Sequence, residues 1–326
     1  MDVKTTNLVE GYIYNGGRSN LANINTYSAC FKYWAKPYGY TPWLYGAIAI
    51  PFLFRVVENV NTPPPMYELP HSRIVQLLNN LGVRMEGICE IAEGETLDRL
   101  RKEAWDAAKR AIDSGYPCFG RGFDFHHGET SVVQGYDEAA EVYIISCWQG
   151  TKTIPWQSLG ERDGLIDLHW MKPDGEEEDD LRTLRDALSL AVGFADGKHT
   201  GPGTKVGSDA YDHWVHELRK GTVDGWFFAY NTHEWDTCRT YGYKFLVEAK
   251  ERLGTAAPRA LDEAIERFGS VRAAINQVYR LFPWEQPRGW IEDSERRLEA
   301  ARLLEQAKQY DAAAIEAFRN IIETIQ

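Results

Sequence analysis

Residues 113–148, DSGYPCFGRGFDFHHGETSVVQGYDEAAEVYIISCW, form the stretch whose reading decides the fold. A helix predicted over 97–113 from its amphipathic spacing stops at Gly115, and an apolar strand opens at Pro117. The alternating runs TSVVQ (130–134) and EVYIIS (141–146) then flank the turn signal Gly135-Tyr136-Asp137. The stretch is a helix feeding a β-hairpin.

Working outward, 72–81 reads as an amphipathic helix with Ile74, Leu77 and Leu78 on one face, and 83–91 reads as a strand. Residues 151–156 and 164–170 add further sheet material. Nearer the N-terminus, 27–34 and 43–54 carry helix-length apolar content on either side of a Pro37-Tyr38-Gly39 break, and 60–65 is a proline-rich loop. Helices first and an antiparallel sheet afterwards make an α+β plan.

The sharpest change in composition is Lys172-Pro173-Asp174-Gly175, followed by the acidic run 176–180. Carboxylates suit a solvated linker or the first turn of a helix, where the dipole is positive. The boundary is placed there, giving a domain at 1–175 and an all-helical domain at 176–326 with no β-sheet past Asp180. Helices are predicted near 181–195, 206–219, 231–252, 258–281 and 291–325, with Pro258 in a first turn and Asn231 with Glu234 as a capping pattern. Aromatic residues are dense here, among them Trp214, Trp226, Trp235 and Tyr243, and are expected in the core and in part against the first domain.

A chain of 326 residues with 44% hydrophobic content can bury two cores. Its formal charge of −12 disfavours nucleic acid, which is bound through basic clusters. The longest apolar run, 43–56, is interrupted by Gly46, Pro51 and Arg55 and falls short of a membrane span. The first residues lack the basic start and apolar core of a signal peptide, so the expectation is a cytoplasmic protein with no membrane partner, and with a small molecule, a peptide or another protein as the partner its charge leaves open. The sequence does not specify an oligomeric state.

Five cysteines without CxxC spacing (Cys30, Cys89, Cys118, Cys147 and Cys238) are expected as reduced thiols rather than disulfides or a zinc knot. His213 and His216 share a helix face beside Asp209, Asp212 and Glu217, but they do not form HExxH and are read as surface or interface histidines. The loop 198–204, KHTGPGT, lacks the GxxxxGK[ST] spacing of a phosphate loop. No cofactor and no metal are expected.

The hairpin, with DSGYPCFGRGFDF leading into ETSVVQGYDEAAEVYIISCW, resembles the C39-like, papain-superfamily domain found at the N-terminus of butirosin-type acyltransferases, a family with many bacterial members. Residues 25–54, NTYSACFKYWAKPYGYTPWLYGAIAIPFLF, are similar to that family's nucleophile helix and the region after it, and GSDAYDHWVHELRKG resembles a helix that often follows the domain. The resemblance implies a papain-like fold with a nucleophilic Cys about thirteen residues before the helix-ending Gly39, a place occupied by Thr26. It puts the oxyanion-binding amide at Asn20 or Leu21, the catalytic His at Glu129, and an orienting group near 146–149.

A thiol mechanism needs a thiolate and an adjacent imidazole, and Thr26 with Glu129 provides neither. The reading that follows is a pseudoenzyme-like domain, with the cleft retained and the Cys-His dyad replaced. The expectation attached to it is that Thr26 and Glu129 face one cleft. The alternative is an active thiol hydrolase or acyltransferase using Cys30, one helical turn beyond Thr26, or Cys118, at the start of the strand before the hairpin, with His126 or His127.

Overall fold

The computed structural model describes residues 3–5, 26–27, 30–31, 42–62, 71–123, 130–147 and 150–325. Its elements in chain order are β1 (Val3–Thr5), α1 (Pro42–Ala47), β2 (Arg55–Val57), α2 (His71–Leu78), β3 (Arg84–Ile91), α3 (Gly94–Asp113), β4 (Cys118–Arg121), β5 (Ser131–Asp137), β6 (Val142–Cys147), β7 (Gly150–Pro155), β8 (Leu165–Lys172), α4 (Asp180–Ala195), β9 (Thr204–Val206), α5 (Gly207–Lys220), α6 (Gly225–Leu253), α7 (Ala260–Leu281) and α8 (Ser294–Thr324). This is a mixed α+β protein whose strand pairings are antiparallel.

Two compact units divide the chain. The first comprises Met1–Thr41 and Gly82–Glu176; the second comprises Pro42–Leu81 and Glu177–Gln326. A division near 175 is present, but the chain crosses it three times, because Pro42–Leu81 belongs with the C-terminal helices rather than with the sheet.

In the first unit the strand order is β3-β8-β4-β5-β6-β7, with β1 paired to β5. Helix α3 covers one face. Its Leu100, Ala104, Trp105, Ala108 and Ile112 recur at three- and four-residue spacing and meet Cys118, Val133, Tyr143, Ile145, Ile166 and Leu168. The helix ends where Gly115 takes a positive φ of 74°, with the Tyr116 amide donating to the Ala111 carbonyl at 2.8 Å and the Gly115 amide donating to Ile112 at 3.0 Å. Trp105 packs edge-on against Tyr136 and Tyr143, at 5.8 and 4.9 Å between ring centres.

The predicted turn Gly135-Tyr136-Asp137 is part of β5; the reversal lies at 138–141. Asp137 caps that reversal by accepting from the Ala140 amide at 3.0 Å. A register shift between Val133 and Gly135 explains the displacement. Without the bulge, Val133 and Tyr136 would point to opposite faces; with it, both enter the core under α3.

The second unit is a helical assembly threaded by the segment 42–57. Phe52, on a 3-10 turn after α1, lies 5.1 to 6.0 Å from Phe245, Phe268 and Phe318. Phe54 stacks on Tyr211 at 4.1 Å and meets Trp235 at 4.9 Å. Trp214 and Trp235 are therefore core residues of this unit, while Trp226 packs on Trp284 and Tyr243 lies under Arg272. β2 pairs with β9, so the expectation of no sheet past Asp180 does not hold. Helix α6 starts at Gly225, capped by Asp224 accepting from the Trp226 and Phe227 amides, and not at Asn231, whose side-chain amide donates to the Thr62 and Phe227 carbonyls. Pro258 lies just ahead of α7, not within its first turn.

Trp105→Ala would remove the largest side chain from the first unit's core. It should lower that unit's stability by about 3–5 kcal/mol. Urea unfolding followed by hydrogen exchange in β6 and β8 would read this, with protection in α6 and α7 unchanged.

Candidate functional site

The strand register builds a polar cluster on the face of the sheet opposite α3. Across β3, β8 and β4, one row consists of Cys89, Asp167 and Arg121, and the next row of Gly87, His169 and Phe119. Residues directly opposite in antiparallel strands bring their Cβ atoms to about 4.5–5.5 Å, so side chains within each row are neighbours, with Gly87 leaving its place open to the His169 ring. Asp167 and His169 are two apart on β8 and therefore share this face, while Ile166, Leu168 and Trp170 point to α3.

Asp167 is only 3% exposed. Its Oδ1 accepts from His169 Nε2 at 2.8 Å, and its Oδ2 accepts from the Arg121 guanidinium. Burial alone would raise the Asp167 pKa; hydrogen bonds from His169 and the charge of Arg121 outweigh it and hold the carboxyl below its ordinary range. Burial likewise opposes a charge on His169. Its hydrogen bonds to Asp167 and Cys89 prevail, and its pKa is raised to about 9. At neutral pH the ring is an imidazolium.

The ring is held on both sides. Phe119 lies 5.8 Å from it, and Gly87 supplies the space beneath it: a Cβ at Gly87 would fall 2.2 Å from His169 Nδ1. Cys89 is exposed, so the cluster opens to solvent through its sulfur. Tyr27, on the helical positions 26–27, edges onto Phe119 at 5.5 Å; its hydroxyl pKa is raised by burial and by the negative charge of Asp167.

Three ligand atoms, from Cys89, Asp167 and His169, lie within 4.8 Å of one another, the only such group among the described residues. The set could in principle hold a soft divalent ion. Both carboxylate oxygens are already engaged, however, one by an imidazolium and one by a guanidinium, and this positive surround disfavours a cation. The geometry suits a thiol, an imidazole and an orienting carboxylate.

Of the residues singled out in the sequence, Thr26, Cys30 and Cys118 are described, and all three are 0% exposed. Burial raises the pKa of both thiols far above the ordinary value, which argues against either as a nucleophile. Asn20, Leu21, Glu129, His126 and His127 lie outside the described residues, and so does the expected meeting of Thr26 with Glu129. His213 contacts the Glu58 carbonyl at 2.9 Å, and His216 is exposed beside Glu217. The site that sequence reasoning passed over had one signal, LIDLHWMK, in which Asp and His alternate with apolar residues on a strand buried on both faces.

Asp167→Asn should lower stability by about 3–5 kcal/mol at pH 7, because it leaves Arg121 and His169 without their counter-charge. The pH dependence has a definite sign. A raised His169 stabilises fully below its ordinary value of 6.5 and loses that contribution as pH rises through about 9; a lowered Asp167 stabilises above 3.8 and loses its contribution as pH falls. Thermal unfolding midpoints should decline above pH 8 in the native protein, and this alkaline decline should be missing in Asp167→Asn. Gly87→Ala should displace the imidazole and cost about 1–3 kcal/mol.

No protein-family model matches the chain, and no curated protein matches it in sequence.

Proposed function

We propose that the first unit is a thiol-dependent acyl-group enzyme, a hydrolase or acyltransferase, with Cys89 as nucleophile. The observation that carries this reading is an exposed cysteine whose sulfur lies within 4.8 Å of a ring nitrogen of His169, the ring itself being held through Nε2 at 2.8 Å by a buried carboxylate. An imidazolium beside a sulfur stabilises the thiolate. His169 holds the proton taken from Cys89; the thiolate adds to an acyl carbon; the tetrahedral adduct expels its leaving group, which takes the His169 proton. Water or an acceptor then attacks the thioester, returns a proton to His169 and frees Cys89. Asp167 orients the ring, and Arg121 holds Asp167 ionised.

The papain-like reading has support of a general kind: an antiparallel sheet, and helical positions at Thr26, Tyr27, Cys30 and Phe31 beside it. In that reading the family's nucleophile position carries Thr26 and the chemistry falls to Cys89, away from Cys30 and Cys118. Without reactive Cys89, the domain is a binding protein for a small molecule or a peptide. A reducing, cytoplasmic setting suits an enzyme that depends on a free thiol. Among the described residues no helix is long and apolar enough to cross a membrane.

Iodoacetamide at pH 6–7, followed by mass spectrometry, should modify Cys89 ahead of Cys30, Cys118 and Cys238. His169→Ala should slow that modification about tenfold or more. If Cys89 reacts no faster than a free thiol in both proteins, the enzymatic reading fails and the binding reading stands.

A further inference from the structure

We infer that the outer edge of β3 is the docking strand for the substrate, an extended polypeptide segment bearing lysine or arginine, which is laid antiparallel or parallel along β3 so that its acyl group meets Cys89. This rests on the thiol reading above.

β3 is the terminal strand of the sheet and is paired only on its β8 side among the described residues. It runs for eight residues, and Arg84, Glu86, Gly87, Cys89, Glu90 and Ile91 are exposed, with Ile91 at 77%. A long edge strand with free backbone donors and acceptors is a hazard that proteins usually blunt, and it is also how extended peptides are bound, by addition of a strand. Here the same edge carries the one exposed cysteine among the described free thiols.

The charges along the edge select the partner. At the start of β3 they are neutralised: Arg84 pairs with Asp174, and Glu86 accepts from Lys172 at 2.7 Å. At its end they are not. Among the described residues Glu90 and Glu93 are exposed with no ion-pair partner, and so is Asp163 on the loop joined to the strand by the Ala92 amide donating to the Gly164 carbonyl at 3.0 Å. A basic side chain on the docked segment would answer this acidic end, and Ile91 offers an apolar contact beside it. A residue of the docked strand opposite Cys89 shares its face at a Cβ separation of about 5 Å, which places an acyl carbonyl on that residue within reach of the sulfur.

The test uses the full chain and three chloromethyl ketone pentapeptides: one of alternating Lys and Val, the same peptide N-methylated at alternate amides, and one with Glu in place of Lys. Each alkylates a thiolate with loss of chloride. The Lys/Val peptide should label Cys89 about tenfold faster than either analogue, because N-methylation removes strand hydrogen bonds and Glu reverses the charge match. Glu90→Gln with Glu93→Gln should narrow the gap between the Lys and Glu peptides when each peptide rate is divided by that variant's own iodoacetamide rate at Cys89. Equal rates for all three peptides, with Cys89 still reactive to iodoacetamide, would overturn edge docking and leave the thiol reading intact. A Cys89 inert to iodoacetamide would overturn the thiol reading itself and this inference with it. A concentration-dependent dimer in sedimentation that protects Cys89 would assign the edge to a second copy of the chain and overturn the proposal.

Discussion

A carboxylate almost without water is the constraint on which the first unit's polar face depends. Asp167 stands in the middle of three strands, and a buried anion persists only where cations and hydrogen bonds replace its hydration. Arg121 from β4 and His169 from its own strand meet that requirement. The chemistry follows from the packing: the carboxylate that needs a proton donor keeps the imidazole charged, and the charged imidazole lies close to the Cys89 sulfur. Arg121 thereby has two roles. It lowers the energy of a buried anion, and its charge beside the carboxylate disfavours a cation there.

The register has the force of a covalent constraint here. Because side chains alternate along a strand, a slip of one residue between β3 and β8 would carry Cys89 to the α3 side and leave Asp167 facing a different partner. What holds the register is the opposite face. Ile88, Ile166, Leu168 and Trp170 are held beneath α3, and Gly120 lets β4 approach β8 so closely that a Cβ there would lie 2.0 Å from the Asp167 carbonyl. The apolar core thus sets the geometry of the polar cluster on the other side of the same strands.

The second unit solves a comparable problem in its interior. Arg239, 0% exposed, donates to the Pro51 carbonyl at 2.9 Å and faces Asp311 and the Tyr211 hydroxyl at 3.5 and 3.4 Å. One guanidinium thereby ties the 3-10 turn at 50–52 to α5, α6 and α8. This bond, with the rings around Phe52 and Phe54, explains why Pro42–Leu81 leaves the sheet unit, although its sequence neighbours lie there.

Much of the architecture was legible because it is local. Helices α4, α5, α7 and α8 start and stop near the positions given by apolar spacing, α6 ends near its expected place but begins six residues earlier, and β3, β7 and β8 match their predicted runs. Three features depended on partners distant in sequence. The segment 42–57 has helix-like composition but is shaped by α6, α7 and α8; β9 is a three-residue strand that exists because β2 lies beside it; and the reversal after β5 moved because a bulge kept Tyr136 inside. The candidate site was least legible for the same reason. The candidates legible in sequence are Cys30, one helical turn beyond Thr26, and Cys118, at the start of the strand before the hairpin, yet a thiol's reactivity is set by exposure and by a neighbouring cation, and both of these are buried. Cys89 and His169 are eighty residues apart by number and meet only through the ladder between β3 and β8. What the sequence did contain was a carboxylate and an imidazole spaced by one apolar residue on a strand with no polar face to spare, and such a pair must find counter-charges inside the fold.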